Sequence, residues 1–168
     1  IYVAGSGVIT GHNVYVEGPG GKKTLVANGE GHGGQAAQKA IEVLREIKGQ
    51  PFFLAVGFLK PHLPFVAPKK YYDSYKREDL KPAPNPFPPA DCPQIALHNW
   101  GELRNYLNIP KSGPLSDEMA LDLIHGYYAA TSYIDAQIGR VLDEVDRLGL
   151  RDKTVVVLWG DHGWQLGE

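Results

Sequence analysis

The sequence predicts an α/β fold with a mostly parallel central sheet flanked by helices. Two apolar runs, at 51–58 and 154–159, have the length and the β-branched or aromatic content of buried strands. Each run follows a segment with the period of an amphipathic helix, at 35–48 and 117–148. Because alternating helices and strands are typical of parallel sheets, we expect both runs to lie in one such sheet.

The elements before the first long strand are short. The opening stretch to residue 34 is rich in glycine and contains two candidate strands, at 14–16 and 24–26. The first helix follows at 35–48, and Gly49 supplies its C-terminal stop. Its apolar residues recur at a spacing of three or four, namely Ala37, Ala40, Ile41, Leu44 and Ile47.

A proline-rich excursion occupies about 67–114. Its prolines exclude regular helix and central strand, and they are Pro82, Pro84, Pro86, Pro88, Pro89 and Pro93. Its aromatic residues predict that it packs against the rest of the chain, and they are Tyr71, Tyr72, Tyr75, Phe87, Trp100 and Tyr106. Long irregular segments are usually functional, so a structural wrap and a substrate-facing loop are both open interpretations.

The long helix at 117–148 has recognisable ends. Ser116 can cap its start, and the acidic residues 117–118 suit the positive end of the helix dipole. Gly149 ends it. Gly126 and Gly139 weaken the helix relative to alanine, so we expect each to allow close approach of a neighbouring backbone.

Composition limits the possible functions. The 168 residues suit a single domain, and 43% apolar with 21% charged residues is ordinary for a globular protein. The net charge of −2 and the absence of a basic cluster give no reason to expect nucleic-acid binding. No apolar run approaches the roughly 20 residues of a membrane span. Cys92 is the only cysteine, so no internal disulfide forms, and we interpret it as a loop thiol.

Asp161 and His162 come directly after the last predicted strand. In open α/β sheets ligands bind beyond the carboxyl ends of the strands, so the pair is a candidate metal site. A carboxylate with an imidazole fits Zn²⁺ or another transition metal better than Ca²⁺, which prefers oxygen ligands. The alternative is a tight turn in which Asp161 caps a following helix and His162 is a polar bystander. Two residues cannot complete a metal site.

Lys60 and His62 stand after the other predicted strand, separated by Pro61, which stiffens the turn. An ammonium held beside an imidazole suits binding of a sulfate or phosphate, or protonation of its leaving group. The alternative is a solvated lysine and a structural histidine. The presence of two such motifs at two strand ends favours a shared anion and metal site.

The segments 51–65, 126–135 and 155–168, which contain these motifs, resemble the type I (formylglycine-dependent) sulfatases of the alkaline phosphatase superfamily, in particular the iduronate-2-sulfatase-like branch. The resemblance implies a sulfatase-like fold, of which this chain would be an internal part. It implies a divalent metal, usually calcium, with zinc or magnesium as alternatives, on Asp161, His162 and an upstream pair of aspartates. It implies that His62 and Lys60 contact a sulfate ester, and a secreted, periplasmic or lysosomal location.

The chain also departs from the family pattern. The formylglycine nucleophile of this family forms from a Cys/Ser-x-Pro-x-Arg motif, which is absent, since Cys92 is followed by Pro93-Gln94. Val8 occupies the apparent position of a family lysine, and His12 is displaced by one from the family histidine. We therefore expect residues 1–168 to form part of one catalytic domain and to be inactive alone.

Three hypotheses follow. The first is a metal-dependent hydrolase of a sulfate ester, on a carbohydrate or another alcohol. The second is a two-metal phosphoesterase of the same superfamily, since Asp-His-Gly is used there too. The third, motivated by Val8, is a catalytically silent relative that binds sugar.

Overall fold

The computed structural model describes residues 12–17, 23–29, 33–97 and 101–166. The strands and α-helices are β1 (His12–Glu17), β2 (Lys23–Gly29), α1 (Gly33–Ile47), β3 (Phe53–Val56), α2 (Lys69–Tyr72) and α3 (Asp117–Arg147). Short 3₁₀ helices lie at Arg77–Asp79, Gln94–Ala96, Gly101–Asn105 and Arg151–Lys153. The chain divides into one unit of Ile1–Lys60 with Ile134–Val157 and a second of Pro61–Tyr133 with Leu158–Glu168. That residues 1–168 belong to a single catalytic domain stays a prediction.

The first unit contains a three-stranded sheet in the order β2-β1-β3. The candidate strands at 14–16 and 24–26 are confirmed as β1 and β2, and the run at 51–58 contains β3. Both pairings are antiparallel, so the described strands do not show the predicted mostly parallel sheet. The reason is the position of β1. Strands β2 and β3 run in the same direction and are joined through α1, but β1 lies between them and opposes both.

The prediction of a buried strand at 154–159 is wrong for the described structure. This segment has no strand hydrogen bonding, and Val155 is 90% exposed and Trp159 81% exposed. The preference of β-branched and aromatic residues for strands reflects packing on a pleated surface more than an intrinsic backbone bias. No described strand pairs with the segment, so its composition alone does not make it a strand. In the other run that was predicted as a buried strand, Phe53 of β3 is also 48% exposed.

Helix α1 confirms the predicted apolar stripe, because every residue of that stripe is buried. Leu44 packs with Val145 and Leu150 in the core of the first unit, and Phe52 and Leu54 cover this cluster. Burial of such side chains is worth about 1.5–3 kcal/mol each, so this cluster contributes substantially to the stability of the unit.

Both ends of α3 form as the sequence predicts. The Ser116 hydroxyl accepts the backbone N–H of Met119 at 3.2 Å, which is a side-chain N-cap. At the other end Gly149 has φ +67°, and the Leu150 N–H donates to the Val145 carbonyl at 3.0 Å. This left-handed glycine closes the helix at low steric cost.

The two glycines inside α3 differ in their surroundings. A Cβ on Gly126 would lie 3.0 Å from the Phe65 Cβ and 3.1 Å from the Phe65 carbonyl oxygen. The predicted close approach is therefore confirmed at Gly126. The same prediction is wrong for Gly139, where a Cβ would meet nothing within 4 Å.

We expect Gly126→Ala to lower the free energy of unfolding by about 1–3 kcal/mol, because the new methyl group is forced against backbone atoms of Phe65. Its matched control, Gly139→Ala, should raise stability by about 0.5–1 kcal/mol, because alanine favours the helix and has room. Urea unfolding of the two variants measures the difference. Equal effects at both positions would contradict the packing described at Gly126.

A buried carboxylate joins α1 to α3. Glu144 is only 6% exposed, and its Oε1 accepts a hydrogen bond from Arg45 Nε at 2.8 Å. Arg147 donates to both oxygens of the same carboxylate. The hydrogen bonds from Arg147, and next in size those from Arg45, lower the pKa of Glu144 to about 2.

This depressed pKa predicts a specific acid sensitivity. The stabilisation from ionised Glu144 is fully present above its ordinary pKa of 4.5 and is lost as the pH falls towards 2. The wild-type chain should therefore lose more stability between pH 5 and pH 2 than Glu144→Gln does. Thermal melting across this range is the measurement. Parallel curves for the two proteins would mean that Glu144 is not the group responsible.

In the second unit, the start of the proline-rich excursion packs along α3. The Tyr72 ring stacks on the buried His125 at 3.7 Å between centroids, and the His125 Nε2 contacts the Tyr72 carbonyl at 2.9 Å. The Tyr75 hydroxyl lies 2.5 Å from the Ser132 hydroxyl. The prediction that the aromatic residues pack is confirmed for Tyr72 and Tyr75, so this part of the excursion is a structural wrap. It is wrong for Phe87, which is 72% exposed, and Trp100 lies outside the described residues.

None of the helices in the described residues is long and apolar enough to cross a membrane.

Candidate active site

The turn around His62 is fixed by local chemistry. Pro61 and Pro64 exclude regular structure on both sides, and Leu63 between them is only 5% exposed, so it anchors the turn in the second unit. The His62 Nδ1 lies 3.0 Å from the Leu63 carbonyl oxygen. Because a carbonyl can only accept, Nδ1 is the donor, and Nε2 is the ring atom directed elsewhere.

Asp161 and His162 lie in an exposed turn of the same unit. The Asp161 Oδ1 accepts the backbone N–H of His162 at 3.0 Å, which ties the carboxylate to the turn. The His162 Nδ1 lies 3.4 Å from the Gly163 carbonyl oxygen. No helix follows Asp161 among the described residues, so the helix cap of the alternative interpretation is not observed, and this contact is a hydrogen bond within the turn. It still leaves the carboxylate at the surface, where it can reach a ligand.

The two motifs meet in space although they lie far apart in the sequence. The rings of His62 and His162 have centroids 6.0 Å apart and are nearly perpendicular. Trp164 stands beside both, with centroids 5.8 Å from His62 and 6.2 Å from His162. Phe65 packs against Trp164 at 5.8 Å and supports this aromatic group from behind. Trp164 and Phe65 therefore line one side of the two histidines with aromatic rings.

Glu102 is a further polar neighbour of His62. Its Oε2 lies 3.6 Å from the His62 Nε2, and both side chains are partly exposed. Sequence reasoning missed both Glu102 and Trp164. Trp164 could have been suspected from its position directly after the Asp-His-Gly motif. Glu102 carried no such signal, because it stands 40 positions from His62 in an irregular segment.

Lys60 belongs to the first unit, unlike the other candidate residues. Burial lowers the pKa of its ammonium group. A partly desolvated cation interacts more strongly with an anion than a solvated one does, because the local dielectric is lower.

The donor set suits a metal only in part. Asp161 and His162 supply one carboxylate and one imidazole, both accessible. Over the residues that the structure describes, no group of three or more His, Cys, Asp or Glu side chains is arranged to hold a metal ion. One carboxylate and one imidazole do not complete a metal site by themselves, so Asp161 and His162 as metal ligands stay a prediction. Val8 lies outside the described residues, as does the side chain of His12.

The sequence model of the Sulfatase family matches residues 9–168, which is nearly the whole chain. The chain belongs to the sulfatase family. Membership implies the alkaline-phosphatase-like α/β fold for the whole domain, although the described strands of this sulfatase chain are antiparallel.

Individual relatives agree. The sulfatase chain is 38% identical over 142 residues to iduronate 2-sulfatase from Mus musculus and, equally, from Homo sapiens. Each match covers 80% of this chain and 26% of the relative. It is 34% identical over 139 residues to the multifunctional alkaline phosphatase superfamily protein PehA of Trinickia caryophylli, covering 78% of this chain and 27% of PehA. The chain spans about a quarter of the length of these relatives.

Proposed function

We propose that this chain contributes part of the active site of an enzyme that hydrolyses a sulfate ester, with a sulfated carbohydrate as the substrate. The observation that carries the proposal is the 6.0 Å approach of the His62 and His162 rings. It puts an imidazole suited to an anionic ester next to the Asp161-His162 pair suited to a metal. Iduronate 2-sulfatase, whose name specifies a sulfated sugar acid, is the relative that supports the carbohydrate.

Each site residue has a proposed role. His62 directs Nε2 towards the ester and donates a hydrogen bond to a sulfate oxygen or a proton to the leaving alcohol. Lys60, two residues earlier, adds a cation for the sulfate. Asp161 and His162 would hold a divalent metal, calcium by resemblance to the family, which supplies electrostatic stabilisation of negative charge.

The nucleophile is not expected from this chain. It contains no Cys/Ser-x-Pro-x-Arg motif, from which sulfatases of this type make formylglycine. We therefore expect the 168-residue chain alone to show no turnover of 4-nitrophenyl sulfate. Measurable turnover by the purified chain would mean that another residue performs the attack.

The proposed function is tested on the intact protein with matched 4-nitrophenyl sulfate and 4-nitrophenyl phosphate. Hydrolysis of the sulfate with the larger kcat/KM supports the sulfatase. The alkaline phosphatase superfamily protein among the relatives makes phosphate ester hydrolysis the second candidate, and a preference for the phosphate would establish it. Binding of a sulfated sugar without release of sulfate would instead support a silent relative.

A further inference from the structure

We propose that Glu102 is a positioning residue that holds the His62 ring for the reaction. The inference rests on the proposed function for its catalytic consequence. It gives the end of the proline-rich excursion a part in the active site, in addition to its role as a structural wrap.

Each ring nitrogen of His62 has a polar neighbour. The Nδ1 atom is engaged by the Leu63 carbonyl at 3.0 Å, and the Nε2 atom faces the Glu102 Oε2 at 3.6 Å. Contacts on both nitrogens restrict rotation of the ring about its bond to the Cβ atom. At 3.6 Å the contact is longer than a hydrogen bond, and the carboxylate attracts the ring when Nε2 also carries a proton.

The segment after Glu102 is held by hydrogen bonds between its own residues. Arg104 donates to the Pro110 carbonyl and to the Gly113 carbonyl, each at 2.8 Å. Lys111 donates back to the Arg104 carbonyl at 2.6 Å. These bonds close the loop that follows the 3₁₀ helix Gly101–Asn105, so Glu102 stands on an ordered support.

The expected effects on stability and on turnover distinguish a positioning role of Glu102 from a stabilising one. The side chains of His62 and Glu102 are 31% and 40% exposed, and ion pairs at such sites contribute little to stability. Removing the charge of Glu102 should therefore shift the melting temperature by no more than about 3 °C. Its effect should appear in the turnover of substrate.

The test uses Glu102→Gln and Glu102→Ala in the intact enzyme, with Glu78→Gln as the matched control. Glu78 is an exposed glutamate in another 3₁₀ helix of the same excursion. We expect both Glu102 variants to lower kcat by about 10- to 100-fold with KM nearly unchanged, as is typical when a residue supporting a catalytic group is removed. Glu78→Gln should change neither constant.

A second readout does not depend on turnover. Long-range ¹⁵N–¹H spectra at fixed pH report the state of each ring nitrogen of His62. The Glu102 variants should shift the Nε2 resonance, whereas Glu78→Gln should leave it unchanged. If the wild-type enzyme hydrolyses no sulfate ester, the proposed function fails, and this resonance alone decides the role of Glu102. A Glu102 variant that matches Glu78→Gln in kcat and resonance, or one that raises KM alone, overturns the inference.

Discussion

Replacing His62 by glutamine in the intact enzyme should lower kcat for a sulfate ester by roughly 10²–10⁴-fold, the range expected when a general acid is lost. The physical reason is the position of the ring. Its Nδ1 is engaged by the Leu63 carbonyl, so Nε2 is the ring atom that can donate to the ester when the ring carries both protons. Glutamine cannot reproduce that donor at the same place with the same acidity.

His125 offers a matched control, because it is a histidine of the same unit with a structural role. It is buried, stacks on Tyr72 and contacts the Tyr72 carbonyl. His125→Gln should lower the melting temperature and leave kcat of the folded enzyme nearly unchanged. His62→Gln should do the reverse. If the two variants lose activity in proportion to their loss of stability, His62 has no chemical role.

The second large effect concerns the metal. Asp161→Asn should weaken binding of the divalent metal by at least about 100-fold, more than the 10- to 100-fold typical of residues that only support a ligand. Asn keeps the shape of the side chain and can still accept the His162 N–H, so the turn should persist. What is lost is the negative charge that a hard cation requires.

Asp152→Asn is the control for this change, since Asp152 is an exposed aspartate outside the candidate site. The measurement is metal content after dialysis, together with the calcium concentration that restores turnover to metal-free enzyme. Unchanged metal content in Asp161→Asn would remove Asp161 from the ligands. Loss of metal in Asp152→Asn as well would point to a general effect of charge.

The sequence was most informative about elements whose signals are local. The spacing of Ala37, Ala40 and Leu44 identified α1, and Ser116 with Gly149 marked the ends of α3. A helix satisfies its own backbone, so the pattern within one segment is enough to predict it. The sequence also predicted that the motifs of His62 and His162 share a site, and their rings do lie 6.0 Å apart, but the strand at 154–159 on which that prediction rested is not present in the described structure.

Other features depend on partners that a local pattern does not name. The run at 154–159 has the composition of a strand, but a strand also needs a neighbour, and no described strand pairs with it. The antiparallel sheet arises because β1 lies between β2 and β3, an arrangement that the helix-to-strand rhythm does not specify. Glu102 reaches His62 through the tertiary path of the excursion, and Gly139 shows that a helical glycine does not always mark a close contact.

In the proposed function, His62 and the Asp161-His162 pair act on one sulfate ester. A crystal structure of the intact protein with calcium and a sulfated monosaccharide tests it most directly. We expect the sulfate within hydrogen-bonding distance of the His62 Nε2 and the calcium on the Asp161 carboxylate. A sulfate group bound away from His62, or a metal bound without Asp161 and His162, would contradict the account.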